Sequence, residues 1–297
     1  MGVLDDILAS KHQEIALLRQ SIKPRPPTPS LRPPALSLVE RLRRSTGEPL
    51  RLLTEIKRRS PSAGPLSTVL SVAQRASLYG SLGATAISVL TDGPFFGGSF
   101  DDLAAAAGAT DVPLLCKDFI LDEMQVAQAA HAGASFVLLI VRIVPDDARL
   151  RALVEAARSW ELEPLIEVVT ESECERALRV GARIVGVNAR DLDTLHLDAA
   201  RAARVLRGIP PEVVTLHLSG LHTPADIRRV AASGADGALL GEALMRQDDP
   251  TALLTSFVAA AKTPLSSVVH ERNAQGDGDC KGSAGKHRGA DGHGALA

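Results

Sequence analysis

The sequence predicts an eightfold (βα) barrel, a TIM barrel of the α/β class, on three observations. From Leu52 onward, short β-branched or apolar runs alternate without interruption with longer amphipathic ones. Such alternation implies a parallel sheet covered by helices. The alternation produces eight strand–helix units with nothing left over, which favours closure over an open doubly wound sheet. Glycine–alanine steps precede strand candidates at Gly83–Ala84, Gly133–Ala134, Gly181–Ala182 and Gly234–Ala235, where glycine would end one helix and feed the next strand. A chain of 297 residues is long enough for one such barrel.

Taken in order, Val3, Leu4, Ile7, Leu8, Ile15 and Leu18 mark one face of an N-terminal helix. The following KPRPPTPSLRPPAL is too rich in proline to be anything but an extended connector, and SLVERLRR then reads as a short helix. The strands are LLTEIK, ATAISVL, VPLLCK, SFVLLIV, EPLIEVV, ARIVGV, EVVTLHL and DGALLG. Between and after them stand helical stretches: STVLSVAQRASLYGSLG, SFDDLAAAA, DEMQVAQAAHAG, DDARLRALVEAARSW, ESECERALRVG, ADIRRVAASG and TALLTSFVAAA. The expected division is a helical extension with its connector over 1–48, a catalytic barrel over 49–262, and a disordered tail over 263–297. The tail is rich in Gly, Ser, Asp, Lys and His and has no aromatic residue.

A hydrophobic fraction of 45% and a charged fraction of 23% belong to a soluble globular protein. The net charge of −2 gives no electrostatic reason to expect nucleic acid or an anionic membrane as partner. The N-terminus is amphipathic and interrupted by charge, so neither a signal peptide nor a spanning segment is expected, and the cytoplasm is the expected compartment. Cys116, Cys174 and Cys280 stand far apart without a CxxC, and the eight histidines show no ligand spacing, so neither disulfide nor metal is expected.

In a barrel, catalytic groups come from the C-terminal ends of strands and the loops that follow. Those positions hold Glu55 and Lys57 from the first strand, Lys117 after the third, Glu167 in the fifth, and Asn188 and Arg190 after the sixth. Ser219 and Gly220 follow the seventh, and Leu240 and Gly241 end the eighth. Residues two apart on a strand share a face, so Glu55 and Lys57 place two charges on one side of an otherwise apolar strand. Singly, each has a structural explanation: an internal ion pair, a rim pair between Lys117 and Asp118, or turn residues at Asn188 and Arg190. Together, five charged strand-end groups exceed what a core requires. Small residues after the first, seventh and eighth strands offer free backbone N–H groups, and the last two loops of barrels commonly take a phosphate.

The stretches EIKRRSPSAG, AISVLTDGPFFGGSFDDL, PLLCKDFILDEMQV, LIEVVTESECERAL, VGVNARDL, LSGLHTPAD and LLGEALM resemble, in order and spacing, the indole-3-glycerol-phosphate synthase family of tryptophan biosynthesis. The resemblance covers nearly all of residues 1–262. It implies a carboxy-lyase that closes the pyrrole ring of 1-(2-carboxyphenylamino)-1-deoxyribulose 5-phosphate with loss of carbon dioxide and water. No cofactor is implied, and the partner is a small phosphorylated substrate, with a monomer or weak dimer expected. By resemblance, Lys117 is the general acid, Lys57 binds the substrate carboxylate, Glu55 sets the charge of these amines and Glu167 serves the dehydration. Asn188 would hold sugar hydroxyls and Arg190 would support Glu55 or the substrate. Ser60, Ser219, Gly220 and the Leu240–Gly241 turn would carry the phosphate, and Phe96 and Phe119 would flank the aromatic ring.

Two positions depart from the family pattern. The family usually reads SESG where this chain has His217–Leu218–Ser219–Gly220, and NNR where it has Asn188–Ala189–Arg190. Leucine at 218 can neither ionise nor accept a hydrogen bond. The sequence therefore leaves open a synthase that tolerates Leu218, a paralogue with altered substrate or reduced activity, and a non-catalytic phosphosugar-binding protein. The neighbouring His217 cannot substitute, because adjacent strand positions point to opposite faces.

Overall fold

The structure, a computed structural model, describes residues 2–21, 37–61, 63–191 and 194–263. The proline-rich connector over 23–36 and residues 264–297 of the expected disordered tail, with Cys280 among them, lie outside the described residues. Eight strands form the barrel: β1 (Arg51–Ile56), β2 (Ala86–Leu90), β3 (Leu114–Lys117), β4 (Phe136–Ile140), β5 (Glu163–Val168), β6 (Ile184–Asn188), β7 (Val214–Leu218) and β8 (Gly237–Leu240). Each pairs in parallel with its sequence neighbours, and β1 pairs with β8 to close the sheet. The strands are buried on both faces, as a parallel sheet inside a ring of helices must be.

Eleven helices are described: α1 (Val3–Ser21), α2 (Leu38–Leu42), α3 (Val72–Ser81), α4 (Phe100–Ala107), α5 (Glu123–His131), α6 (Asp147–Ser159), α7 (Glu171–Arg179), α8 (Ala199–Arg207), α9 (Pro224–Ala231), α10 (Glu242–Met245) and α11 (Thr251–Ala260). Their starts follow local chemistry. Ser71, Asp122 and Thr223 cap α3, α5 and α9 in reciprocal boxes with Gln74, Gln125 and Asp226, and Ser99, Asp146 and Thr170 cap α4, α6 and α7. The Ser71 cap sets the start of α3 at Val72, five residues later than the sequence pattern suggests. Helix α8, absent from the helical stretches read off the sequence, spans AARAARVLR, and a small hairpin pairs Arg59–Ser60 with Gly64–Pro65. Gly83, Gly133, Gly181 and Gly234 take φ of 95°, 88°, 81° and 88°, the left-handed helix exits expected of the Gly-Ala steps.

Paired residues in a parallel register share a face of the sheet, and this builds the interior in layers. The lower layer is apolar: Leu53, Leu115, Leu165 and Leu216, with Gly186 and Gly237 where no side chain fits. Two residues further along each strand stand Glu55, Lys117, Glu167, Asn188, Leu218 and Leu239. The core thus ends in a mixed upper layer at the strands' C-terminal mouth, where Leu90 of β2 pairs with Lys117 and Ile140 of β4 with Glu167, so that polar side chains from β1, β3, β5 and β6 stand beside apolar ones from β2, β4, β7 and β8. Among the described residues, no helix is long and apolar enough to cross a membrane.

Candidate active site

A cavity opens on this upper layer. Glu55, Lys57, Lys117, Asn188, Arg190, Ser60, Ser219, Gly220, Gly241, Phe96 and Phe119 line it, and Val3, Leu4 and Ile7 of α1 cover it. Glu167 reaches it through Asn188, whose Nδ2 donates to Glu167 Oε1 at 2.9 Å. Leu240 differs from expectation: it is fully buried and does not line the cavity, whereas Leu239 does. On a strand buried on both faces, apolar composition does not tell which of two adjacent leucines points inward.

Glu55 is the electrostatic centre. Its Oε1 lies 2.6 Å from Lys57 Nζ and its Oε2 lies 2.9 Å from Lys117 Nζ, with Glu55 only 1% exposed. Burial alone would push the Glu55 carboxyl up, but the Lys117 and then the Lys57 ammonium outweigh it and hold the group at about 2. Burial likewise works against the charge on Lys117, which Glu55 and then Glu167 restore, so Lys117 sits above the usual lysine value. Glu167 is the contrasting carboxyl: burial raises it, and Lys117 and Asn188 offset this only in part. One site therefore holds a firmly ionised carboxylate and a carboxyl that keeps its proton more readily, an arrangement suited to moving protons.

Gly241 makes room for this cluster. A Cβ there would lie 2.5 Å from Glu55 Oε1 and 3.1 Å from Lys57 Nζ. Ser219 and Gly220 follow β7 with consecutive left-handed φ of 68° and 74°, a conformation a serine adopts only under local constraint. Ser60 Oγ accepts from the Ala63 N–H at 3.1 Å and shapes the turn after β1. Asn188 Oδ1 accepts from the Arg190 N–H, and the Arg190 guanidinium donates to the Leu195 carbonyl. Phe96 and Phe119 stand with ring centroids 6.0 Å apart at 36° in the loops after β2 and β3, Phe119 buried in the core and Phe96 packed against it. His217 faces away from the barrel interior in the register of β7, and burial depresses it to about 4.

The rim pair of Lys117 with Asp118 does not form. Asp118 instead takes Lys11 of α1, at 2.7 Å, and Lys11 also pairs with Asp92 and Glu14. Sequence reasoning missed Lys11 although a signal was present: it stands four residues from both Ile7 and Ile15, a lysine on the apolar stripe of α1. Leu218 is 1% exposed and lies over Gly186, where a Cβ on residue 186 would come within 2.7 Å of its Cδ1 and 3.2 Å of Leu165 Cδ1. Among the described residues, no group of three or more His, Cys, Asp or Glu side chains is placed to hold a metal ion.

Comparison with known proteins agrees with this geometry. The family model described as indole-3-glycerol phosphate synthase matches residues 4–257. The chain is 44% identical over 266 residues to an indole-3-glycerol phosphate synthase of Opitutus terrae, covering 86% of this chain and 98% of the relative. It is 39% identical over 274 residues to one of Parafrankia sp., covering 91% and 97%. Among solved structures, N-acetylmannosamine-6-phosphate 2-epimerase from Clostridium perfringens aligns at a TM-score of 0.58 with 14% identity, over 78% of this chain and 99% of that one. The 3-hexulose-6-phosphate synthase from Salmonella typhimurium aligns at 0.57 with 13% identity, over 71% and 98%. Both structural likenesses concern the fold alone. With a layered barrel, a cavity at its C-terminal mouth and a family model spanning both, this chain belongs to the indole-3-glycerol phosphate synthase family.

Proposed function

We propose that this protein converts 1-(2-carboxyphenylamino)-1-deoxyribulose 5-phosphate to indole-3-glycerol phosphate, carbon dioxide and water, a carboxy-lyase step of tryptophan biosynthesis. The observation that carries the reading is the buried Glu55 carboxylate, which holds the Lys57 and Lys117 ammoniums at 2.6 and 2.9 Å on the cavity wall. Ring closure requires the aromatic carbon bearing the carboxylate to attack the sugar carbonyl carbon, and negative charge then grows on the carbonyl oxygen. A charged Lys117 donates a proton there as general acid. Lys57 holds the carboxylate that leaves as carbon dioxide, and Glu55 keeps both amines charged and in place.

Loss of water needs a proton taken from the ring intermediate and one delivered to the departing hydroxyl. Glu167, raised by burial and held by Asn188, is suited to carry that exchange. Asn188 and Arg190 orient the sugar. The turns at Ser60, Ser219–Gly220 and Gly241 bind the phosphate, and Phe96 and Phe119 hold the aromatic ring. Leu218 is compatible with this reading because the chain Lys57–Glu55–Lys117 and the pair Glu167–Asn188 are connected without it. The setting we assign is cytoplasmic, as a monomer or weak dimer.

The test is a fluorescence assay for indole-glycerol phosphate formation by purified wild type and by Lys117→Ala. Turnover in the wild type that falls by about 10²–10⁴-fold in the variant, the range of general acid catalysis, is expected. Wild-type protein that binds the substrate without turning it over would leave the family assignment and sink the reaction.

A further inference from the structure

Lys11 is completely buried, yet the reaction just described gives it no part. Its ammonium lies 2.7 Å from Asp118 Oδ1, 3.2 Å from Asp92 Oδ2 and 2.8 Å from Glu14 Oε2. Burial works against its charge, but Asp118, then Glu14 and Asp92, more than restore it. The two aspartates belong to different loops, and each holds a phenylalanine of the cavity by its backbone. Asp92 Oδ1 accepts from the Phe95 N–H at 2.8 Å and the Phe96 N–H at 3.1 Å. Asp118 Oδ1 accepts from the Phe119 N–H at 2.7 Å, and its Oδ2 accepts from Thr91 Oγ1 at 2.6 Å.

We infer that Lys11 is a positioning residue for the ring subsite: it holds Asp92 and Asp118 together and thereby fixes the separation of Phe96 and Phe119. Without the ammonium between them, two buried carboxylates within reach of one point would repel or take up a proton. Either response displaces the loop N–H groups they hold, and the aromatic slot with them. Helix α1, whose Leu4 and Ile7 already cover the cavity, becomes part of the ring subsite rather than a cover attached to a finished barrel. The alternative is that Lys11 only fastens α1 to the barrel. Coupling between sites is reciprocal, so ring binding must also stabilise the docking of α1.

This inference rests on the proposal that Phe96 and Phe119 hold the substrate's aromatic ring, and its test separates the two. Competitive inhibition constants are measured on the full chain for anthranilate, a probe of the ring end, and inorganic phosphate, a probe of the other end. Wild type, Lys11→Met and Lys11→Arg are compared well below their melting temperatures. In Lys11→Met, anthranilate is expected to weaken by about tenfold or more and phosphate by less than about twofold, with Lys11→Arg between the two proteins. Anthranilate, and not phosphate, should also slow hydrogen exchange in residues 3–21 of the wild type. Equal weakening of both probes, or no weakening of either, would overturn the inference while leaving the ring subsite. Failure of anthranilate to compete in the wild type would remove the ring subsite and the inference with it. Should Lys11→Met fail to fold, Lys11→Arg, which keeps the charge and moves its position, carries the same comparison.

Discussion

Replacing Gly241 with alanine tests the Glu55 cluster without removing any of its groups. The glycine's φ of −119° lies outside the left-handed region, so the cost of the methyl is one of contact. The new Cβ would stand 2.5 Å from Glu55 Oε1, which must retreat by about 0.9 Å to reach ordinary contact at 3.4 Å. That oxygen is bonded to Lys57 at 2.6 Å and its twin to Lys117 at 2.9 Å, so the carboxylate cannot move without lengthening at least one of the two bonds. Overpacking of this kind costs about 1–3 kcal/mol of stability, or a fall in Tm of about 2–4 °C per kcal/mol at this chain length. A displacement of about 1 Å in catalytic geometry costs about 100-fold in rate. Gly241→Ala should therefore lose about 100-fold in kcat/KM at 25 °C while its melting temperature falls by about 2–12 °C. A variant with lowered Tm and wild-type kcat/KM would refute the reasoning, because it would show that the position of the Glu55 carboxylate does not matter to turnover.

Further outcomes follow from other parts of the site. Ser219→Gly relieves a left-handed φ of 68° and should raise stability by about 1 kcal/mol, while loss of the hydroxyl raises KM; thermal melting and steady-state kinetics check both. Leu218→Glu buries a carboxyl over Gly186 and should lower the urea midpoint while leaving kcat within about tenfold, since the connected polar set does not include residue 218. A gain above about 100-fold would instead identify the missing carboxylate as limiting. Glu55, held at about 2 against a usual 4.5, contributes stability that is fully present above pH 4.5 and is lost as pH falls from there toward 2. Glu55→Gln should flatten the acid limb of stability in that window, measured by urea unfolding at several pH values; an unchanged acid limb would contradict the ion-pair account.

The barrel was legible because a parallel sheet under helices writes each strand as a short apolar run, and because glycine exits and polar caps punctuate the helices. The charged strand ends were legible for the opposite reason: Glu55, Lys57, Lys117 and Glu167 interrupt those runs where no core needs them. Their partners were less so. That Glu55 bridges both lysines follows from the register that sets β1 beside β2 and β2 beside β3, which strand composition does not specify. The choice between Leu239 and Leu240 was invisible for the same reason. Lys11, Asp92 and Asp118 lie far apart in sequence and meet only because α1 crosses the mouth.

Gly186 and Leu218 bear on how this protein can change. Each occupies space the other leaves: a methyl on residue 186 would come within 2.7 Å of Leu218 Cδ1 and 3.2 Å of Leu165 Cδ1. Their fitness effects are therefore interdependent, and the order in which the two positions mutate decides which intermediates survive. A bulkier residue at 186 requires the Leu218 and Leu165 side chains to give way, and a smaller residue at 218 eases that, while any single-step library at 218 explores side chains that fit over a bare backbone. Directed evolution aimed at this side of the barrel should randomise the two codons together, since scanning them one at a time hides every combination in which their volumes are exchanged.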